Sequence, residues 1–193
     1  MPKTSNRELI LTAGMRVVNE RGFASASVRD IVQAAGVPQG SFTNHFASKE
    51  AFGLEILELY YANTRAVIAA TLRNDALPPL ERLTAYIDGT KDRLNQESMR
   101  NGCLIGNFTA ETSDNSEPIR NRLIAAFAET RAAFAYCLRA AVAAGEVRPD
   151  IDPDEIAGFI LSSLQGAILV SKAHRSPEPI ERFKRVLFST VLR

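Results

Sequence analysis

The chain has 193 residues and a mass of 21.1 kDa, enough for one large domain or two small ones and for a core that needs neither disulfide nor metal. Its 46% hydrophobic, 23% charged and 7% aromatic residues are those of an ordinary globular protein, which excludes disordered, collagen-like and coiled-coil arrays. Two cysteines, Cys103 and Cys137, are too few for a disulfide scaffold or a zinc site. The sequence shows no apolar run of the ~18 residues that a membrane span needs, and Met1–Glu8 does not read as a signal peptide. The expectation is a cytoplasmic chain with reduced thiols and no membrane partner.

Net charge is +1, and its distribution is more informative than its sum. Residues 1–50 carry six Lys/Arg against four Asp/Glu, residues 51–171 eleven against sixteen, and residues 172–193 six against two. A slightly basic front on an acidic body is compatible with a nucleic-acid partner without requiring one.

Helical spacing dominates, and neither sustained alternation nor an Asn-Gly or Asp-Gly hairpin turn is present. Ile10, Ala13, Gly14, Val17 and Val18 form one stripe, closed by Gly22. Ser27, with Asp30 three residues on, caps a second short helix that buries Val28, Ile31, Val32 and Ala35 and ends at Gly36. Pro38 is expected to open a third helix, followed by a cap at Ser48. Phe52, Ile56, Leu59, Asn63, Val67 and Ala70 mark a long fourth helix ending near Asn74. Pro78-Pro79 start a fifth, through Leu83, Ile87 and Leu94, and residues 95–117 read as a short helix between loops. Ile119, Leu123, Phe127, Phe134, Leu138 and Ala141 make a long stripe ended by Gly145. Asp152-Pro153-Asp154-Glu155 cap an apolar helix to about Lys172, and Pro177 starts the last one. The fold expected is all-α. Short helices over 1–48 give way to longer ones suited to a bundle over 49–193.

Within the first part, two short helices are joined by Ala35-Gly36-Val37-Pro38. That is the shape of a helix-turn-helix, whose second helix enters the major groove of DNA. The exposed face of this second helix is expected to carry Gln39, Ser41, Thr43, Asn44 and His45, with Phe42 and Phe46 packed inward. Small polar side chains without acids suit hydrogen bonding to bases and phosphates. Shape alone leaves other readings open, a plain helical hairpin buried in a larger bundle or an interaction module whose helix-turn-helix serves protein contacts. The module reading predicts no retardation of any DNA.

Several segments together resemble the N-terminal domain of the tetracycline-repressor (TetR) family. They are Leu9-Ile10-Leu11-Thr12-Ala13-Gly14, Arg21-Gly22-Phe23, Val28-Arg29-Asp30-Ile31, and the unbroken run from Ala35 to Glu50 that contains Gly36-Val37-Pro38-Gln39-Gly40-Ser41-Phe42 and Asn44-His45-Phe46. The likeness covers about the first 55 residues, and the rest matches only in helix layout, as suits a family whose second domain varies with its ligand. The resemblance implies a ligand-responsive transcriptional regulator, usually a repressor, that binds a palindromic double-stranded DNA operator as a homodimer and is released by a small-molecule effector. Carried over, Gln39 and Ser41 face bases, while Thr43, His45 and Lys49 hold the backbone, Lys49 at a helix start where free amides favour phosphate. The full DNA-contacting set implied is Ser27, Arg29, Gln39, Gly40, Ser41, Thr43, Asn44, His45 and Lys49. Two positions depart from the pattern: Thr43 stands where tyrosine is usual, and Val32 where alanine is usual.

From the helical faces, Tyr60, Tyr61, Tyr86, Cys103, Phe108, Phe127 and Phe134 are the expected effector-side residues. The segment Gly102-Cys103-Leu104-Ile105-Gly106-Asn107-Phe108 also resembles one from a branch of the family that senses reactive small molecules. Cys103 therefore has two readings, a thiol modified covalently by electrophiles or oxidants, or a small residue at a tight helix junction. Cys137 lies on the Phe134–Ala141 stripe and reads as core. Gly158, Ser162 and Gly166, with Gln165 and Leu169 beside them, would let two helices approach closely. They read as a dimer seam shared with Phe183, Val186 and Leu187, or else as close packing inside one chain. Asp150, Asp152, Asp154 and Glu155 are better explained by a helix cap than by a metal, and His174 has no partner at ligand spacing. With no catalytic order, phosphate loop or metal motif, neither an enzyme nor a cofactor is expected.

Overall fold

The computed structural model describes residues 5–112 and 114–193, and among these it holds nine α-helices and no strand. They are α1 Asn6–Arg21, α2 Val28–Ala35, α3 Gly40–His45, α4 Lys49–Ala70, α5 Pro79–Gln96, α6 Leu104–Thr112, α7 Glu117–Ala143, α8 Pro153–His174 and α9 Glu178–Val186. A π-helical turn, Leu187–Val191, follows α9.

Local chemistry explains most of the ends. Ser5 caps α1 through a reciprocal box with Glu8, one turn ahead of the apolar stripe that marks the helix in the sequence. Ser27 accepts from the Asp30 amide while the Asp30 carboxylate accepts from the Ser27 amide, so α2 starts where its box predicts. Asp152 accepts from the amides of Asp154 and Glu155 at the start of α8. Asp154 also pairs with Arg139, and Asp150 with Arg148, so structural partners occupy these acids. α3 departs from expectation: it begins at Gly40 rather than Pro38. The Ser41 amide donates to the Pro38 carbonyl and the Phe42 amide to the Gln39 carbonyl, so a tight i→i+3 turn precedes the helix.

Packing divides the chain into two compact units. One runs through Ala62 and includes Leu104–Ile124; the other comprises Asn63–Cys103 with Ala125–Arg193. Ser48 marks the change from short to long helices, and the division by packing falls later, inside α4. In the first unit Ile10, Val18, Ile31, Phe42 and Phe52 are buried. Phe42, Phe46 and Phe52 form a triangle of ring pairs 5.1–5.3 Å apart. Gly14 admits this cluster to α1, because a Cβ there would lie 2.4 Å from the Phe52 ring. On α4, Phe52, Ile56, Leu57 and Tyr61 are buried while Leu59, Asn63, Val67 and Ala70 of the sequence-read stripe face outward.

The second unit packs Leu83, Ile87 and Leu94 of α5 with Phe134 and Leu138 of α7, Ile160, Leu164 and Ile168 of α8, and Ile180 of α9. α8 corrects the sequence reading on one point. It is long and apolar enough, by length and composition, to cross a membrane, yet only 28% of that stretch is buried within the chain. Phe159, Leu169 and Val170 are among the large apolar side chains it leaves exposed. Ser and Gln interruptions hide the run from inspection.

Candidate nucleic-acid interface and effector-side residues

α3 is only six residues long, so its start decides which side chains point out. With the helix beginning at Gly40, positions 41, 42 and 46 turn inward, and Ser41, Phe42 and Phe46 are all buried. Gln39, Gly40, Thr43, Asn44 and His45 are exposed. Ser41 is thus a correction to the expected base-facing set. It is 9% exposed, and Asn6 of α1 donates to its hydroxyl at 3.4 Å. The Thr43 hydroxyl donates back to the Gly40 carbonyl at 3.1 Å. No acid occurs from Ile31 to Ser48, so α3 and the turn before it carry no side chain of their own that repels phosphate.

Ser27 and Arg29 are both exposed at the start of α2. The Ser27 hydroxyl is already engaged with Asp30 in the cap, and these capping bonds hold the Asp30 carboxyl below its ordinary range, with help from Arg21. Lys49 is half-buried rather than free on the surface. Its ammonium donates to the Ala24 carbonyl at 3.2 Å and lies 4.8 Å over the Phe23 ring. Burial lowers its pKa, a trend opposed by the neighbouring Glu111 carboxylate.

The expected effector-side residues fall in both units. Tyr60, Tyr61 and Phe108 belong to the first. There Tyr61 lies 4.9 Å beneath the Arg122 guanidinium, whose Nε also donates to Glu58. Phe108 is stacked against Phe23 at 4.8 Å. Tyr86, Cys103, Phe127 and Phe134 belong to the second unit, where Tyr86 meets Phe134 edge to face at 5.1 Å. Cys103 is half-buried, and Gln165 of α8 donates to its sulfur at 3.5 Å. Two concavities in the second unit, of about 560 and 300 Å³, are lined by other residues, including Val142, Arg148, Phe188 and Leu192 in the larger. Cys137 is buried, donates to the Pro79 carbonyl, and has its thiol pKa pushed up to about 11 by burial. Among the described residues, no three His, Cys, Asp or Glu side chains come together as metal ligands.

The residues read as a dimer seam are divided by the fold. Ser162, Gly166 and Leu169 are exposed on one side of α8, Leu169 at 67%, and Val186 of α9 is exposed as well. Gly158, Gln165 and Phe183 are half-buried. Leu187 is a correction, since it is 1% exposed and belongs to the core of its own unit. Phe159 and Val170, absent from the sequence reading, stand on the exposed side of α8 at helical spacing from Ser162 and Gly166.

Residues 10–56 match the family model of bacterial regulatory proteins of the tetR family, and residues 79–187 match a tetracyclin repressor-like C-terminal domain. The chain belongs to the tetracycline-repressor family. It is 38% identical over 192 residues to the HTH-type transcriptional repressor DhaR of Mycobacterium sp. strain GP1, covering 100% of this chain and 95% of that protein. Identity to the transcriptional regulator AcuR of Cereibacter sphaeroides is 32%, over 91% of this chain and 80% of the relative. Among solved structures, a TetR regulatory protein from Rhodobacter sphaeroides superposes with a TM-score of 0.91 at 30% identity, covering 96% and 98% of the two chains. The reduced form of Escherichia coli NemR gives 0.82 at 30% identity, over 94% and 96%. A cysteine-substituted CifR bound to 26 base pairs of double-strand operator DNA gives 0.83 at 25% identity, over 98% of each chain. The regulator is therefore a DNA-binding transcriptional repressor with a helix-turn-helix reading head.

Proposed function

We propose that the regulator acts in the cytoplasm as a homodimer. In this reading residues 1–48 read a palindromic operator, and residues 49–193 carry the dimer contact and the effector site. The observation that carries this proposal is the outward face of α3, where Gln39, Thr43, Asn44 and His45 are exposed on a helix without acids while Phe42 and Phe46 anchor it from behind. A palindrome demands two such helices about one DNA turn apart, ~34–36 Å. The exposed apolar side of α8 supports a partner copy, since Phe159, Leu169 and Val170 are 46%, 67% and 43% exposed in the single chain. No catalytic step is assigned to the protein.

A small molecule that binds the second unit and lowers operator affinity completes the reading, and linkage requires that operator DNA lower effector affinity by the same factor. A specific observation favours a thiol variant of this response. Cys103 is free and half-buried with a hydrogen-bond donor at its sulfur, whereas Cys137 is sealed in the core. The deciding experiment measures binding to the DNA upstream of the regulator's own gene, for wild type and Cys103→Ser, with and without a mild thiol electrophile. Release of wild type alone establishes covalent sensing, and indifference of both establishes a reversible ligand. Absence of any wild-type binding would count against that stretch as the operator.

A further inference from the structure

The loop that joins α1 to α2 is gripped from two sides by groups distant in sequence. Glu111, near the end of α6, accepts from the Ala24 amide at 2.9 Å. The carbonyl of the same residue is held by Lys49 at 3.2 Å, so both polar groups of one peptide position have side-chain partners. Phe23 fills the space between, stacked on Phe108 of α6 and lying under the Lys49 ammonium. Gly22 completes the fit: its φ of +87° lies outside the range that suits L side chains, and a Cβ there would stand 2.6 Å from Glu111 Oε1. All of these residues lie within the first compact unit.

The loop leads directly to Ser27, the cap of α2, and α2 packs against α1 and α3. A shift of the Ala24 peptide therefore reaches the helix-turn-helix before any base contact is lost. A carboxylate in a DNA-binding unit repels phosphate, so on electrostatic grounds its removal should tighten binding. Its hydrogen bond to a fixed peptide argues for the opposite sign.

We propose that Glu111 is a positioning residue for operator recognition: through the Ala24 amide it fixes the α1–α2 loop, and with it the setting of α2 and α3 on DNA. The proposal rests on the family's DNA-binding role and adds to it a residue of α6, outside the helix-turn-helix.

The test uses the full-length protein and a duplex selected from a randomised library by the wild type. Glu111→Ala should bind that duplex about tenfold more weakly, the scale of one charge-assisted hydrogen bond, with binding to a scrambled duplex unchanged. Glu111→Gln keeps an acceptor for the Ala24 amide and should stay within about threefold of wild type on the same scale. Amide hydrogen exchange at Ala24 should accelerate in Glu111→Ala and not in Glu111→Gln, a local signature that separates positioning from general loss of fold. Tighter binding or unchanged selectivity in Glu111→Ala overturns the proposal, as does an equal loss in both variants. Failure of the wild type to select any duplex would overturn the DNA-binding reading itself, and the proposal with it.

Discussion

Asn6 and Ser41, 35 positions apart, meet through a hydrogen bond of 3.4 Å from the Asn6 side-chain Nδ2 to the serine hydroxyl. The bond seats the second residue of α3 against α1, whereas Gln39 and Asn44 are exposed. Ser41→Ala should change operator affinity by less than about threefold, whereas Gln39→Ala or Asn44→Ala should lose ~1–3 kcal/mol, the value of a good base contact. Fluorescence anisotropy on the selected duplex compares the three directly. A loss at Ser41 equal to that at Gln39 would restore the serine to the DNA-facing set.

Gly14 leaves room for the Phe52 ring, which a Cβ at that position would meet at 2.4 Å. Gly14→Ala inserts a methyl where the ring already stands, at a cost of about 1–3 kcal/mol for overpacking. In a chain of this size the thermal midpoint should fall by roughly 2–4 °C for each kcal/mol. Calorimetry of the variant, and of Gly14→Ala combined with Phe52→Leu, checks the mechanism, since the smaller partner should recover part of the loss.

The outward side of α8 supplies the next expectation. Leu169→Arg places a charge on a residue that is 67% exposed in the single chain, so it should leave the monomer fold intact. If this face meets a second copy, the same change should convert the dimer to monomer in sedimentation velocity and abolish binding to a palindromic duplex. A variant that remains dimeric moves the contact elsewhere.

Asp75 and Tyr136 give a pH-dependent contribution with two edges. The Tyr136 hydroxyl donates to both Asp75 oxygens at 2.8 and 3.0 Å, and buried Arg82 pairs with the same carboxylate. The tyrosine hydrogen bond lowers the Asp75 pKa, with Arg82 adding to it; the same bond raises the Tyr136 pKa. The carboxylate's share of stability is present above its unfolded pKa of about 3.9 and is lost as pH falls through the lowered folded value. The phenol's share is present below about pH 10 and is lost as pH rises through the raised value. Urea midpoints of wild type and Tyr136→Phe should differ by a constant amount at neutral pH and converge at both extremes. A difference that stays constant from pH 2 to 11 would remove this linkage.

The two thiols should differ in reactivity. Cys103 is half-buried and Cys137 is 1% exposed with its pKa near 11, so a maleimide should label Cys103 first and leave Cys137 unmodified in the folded chain. Intact mass and peptide mapping before and after denaturation read this out. Prior labelling of Cys137 would contradict the packing of α7 on α5.

Much of this protein is legible without coordinates because its signals are local. Ser27 with Asp30, Asp152 before Pro153, and glycine at positions 22 and 36 act within one turn of the chain, so helix ends and the helix-turn-helix could be read from spacing alone. The family resemblance has the same origin, a run of turn and core residues close together in sequence. Contacts across long separations were not legible. The seat of Ser41 against α1 is one of them, since its partner Asn6 stands 35 positions away in the chain. Leu187 and Val186 share one apolar pattern, yet only packing places the first in the core and leaves the second on the surface. Glu111 carried no sequence signal at all, since its partner is the amide of Ala24, 87 positions away. The all-helical class, the reading head and the family are written in capping and turn chemistry that acts over a few residues. Which faces turn outward, and which distant groups hold the loop before α2, follow instead from how helices dock and not from the order of their residues.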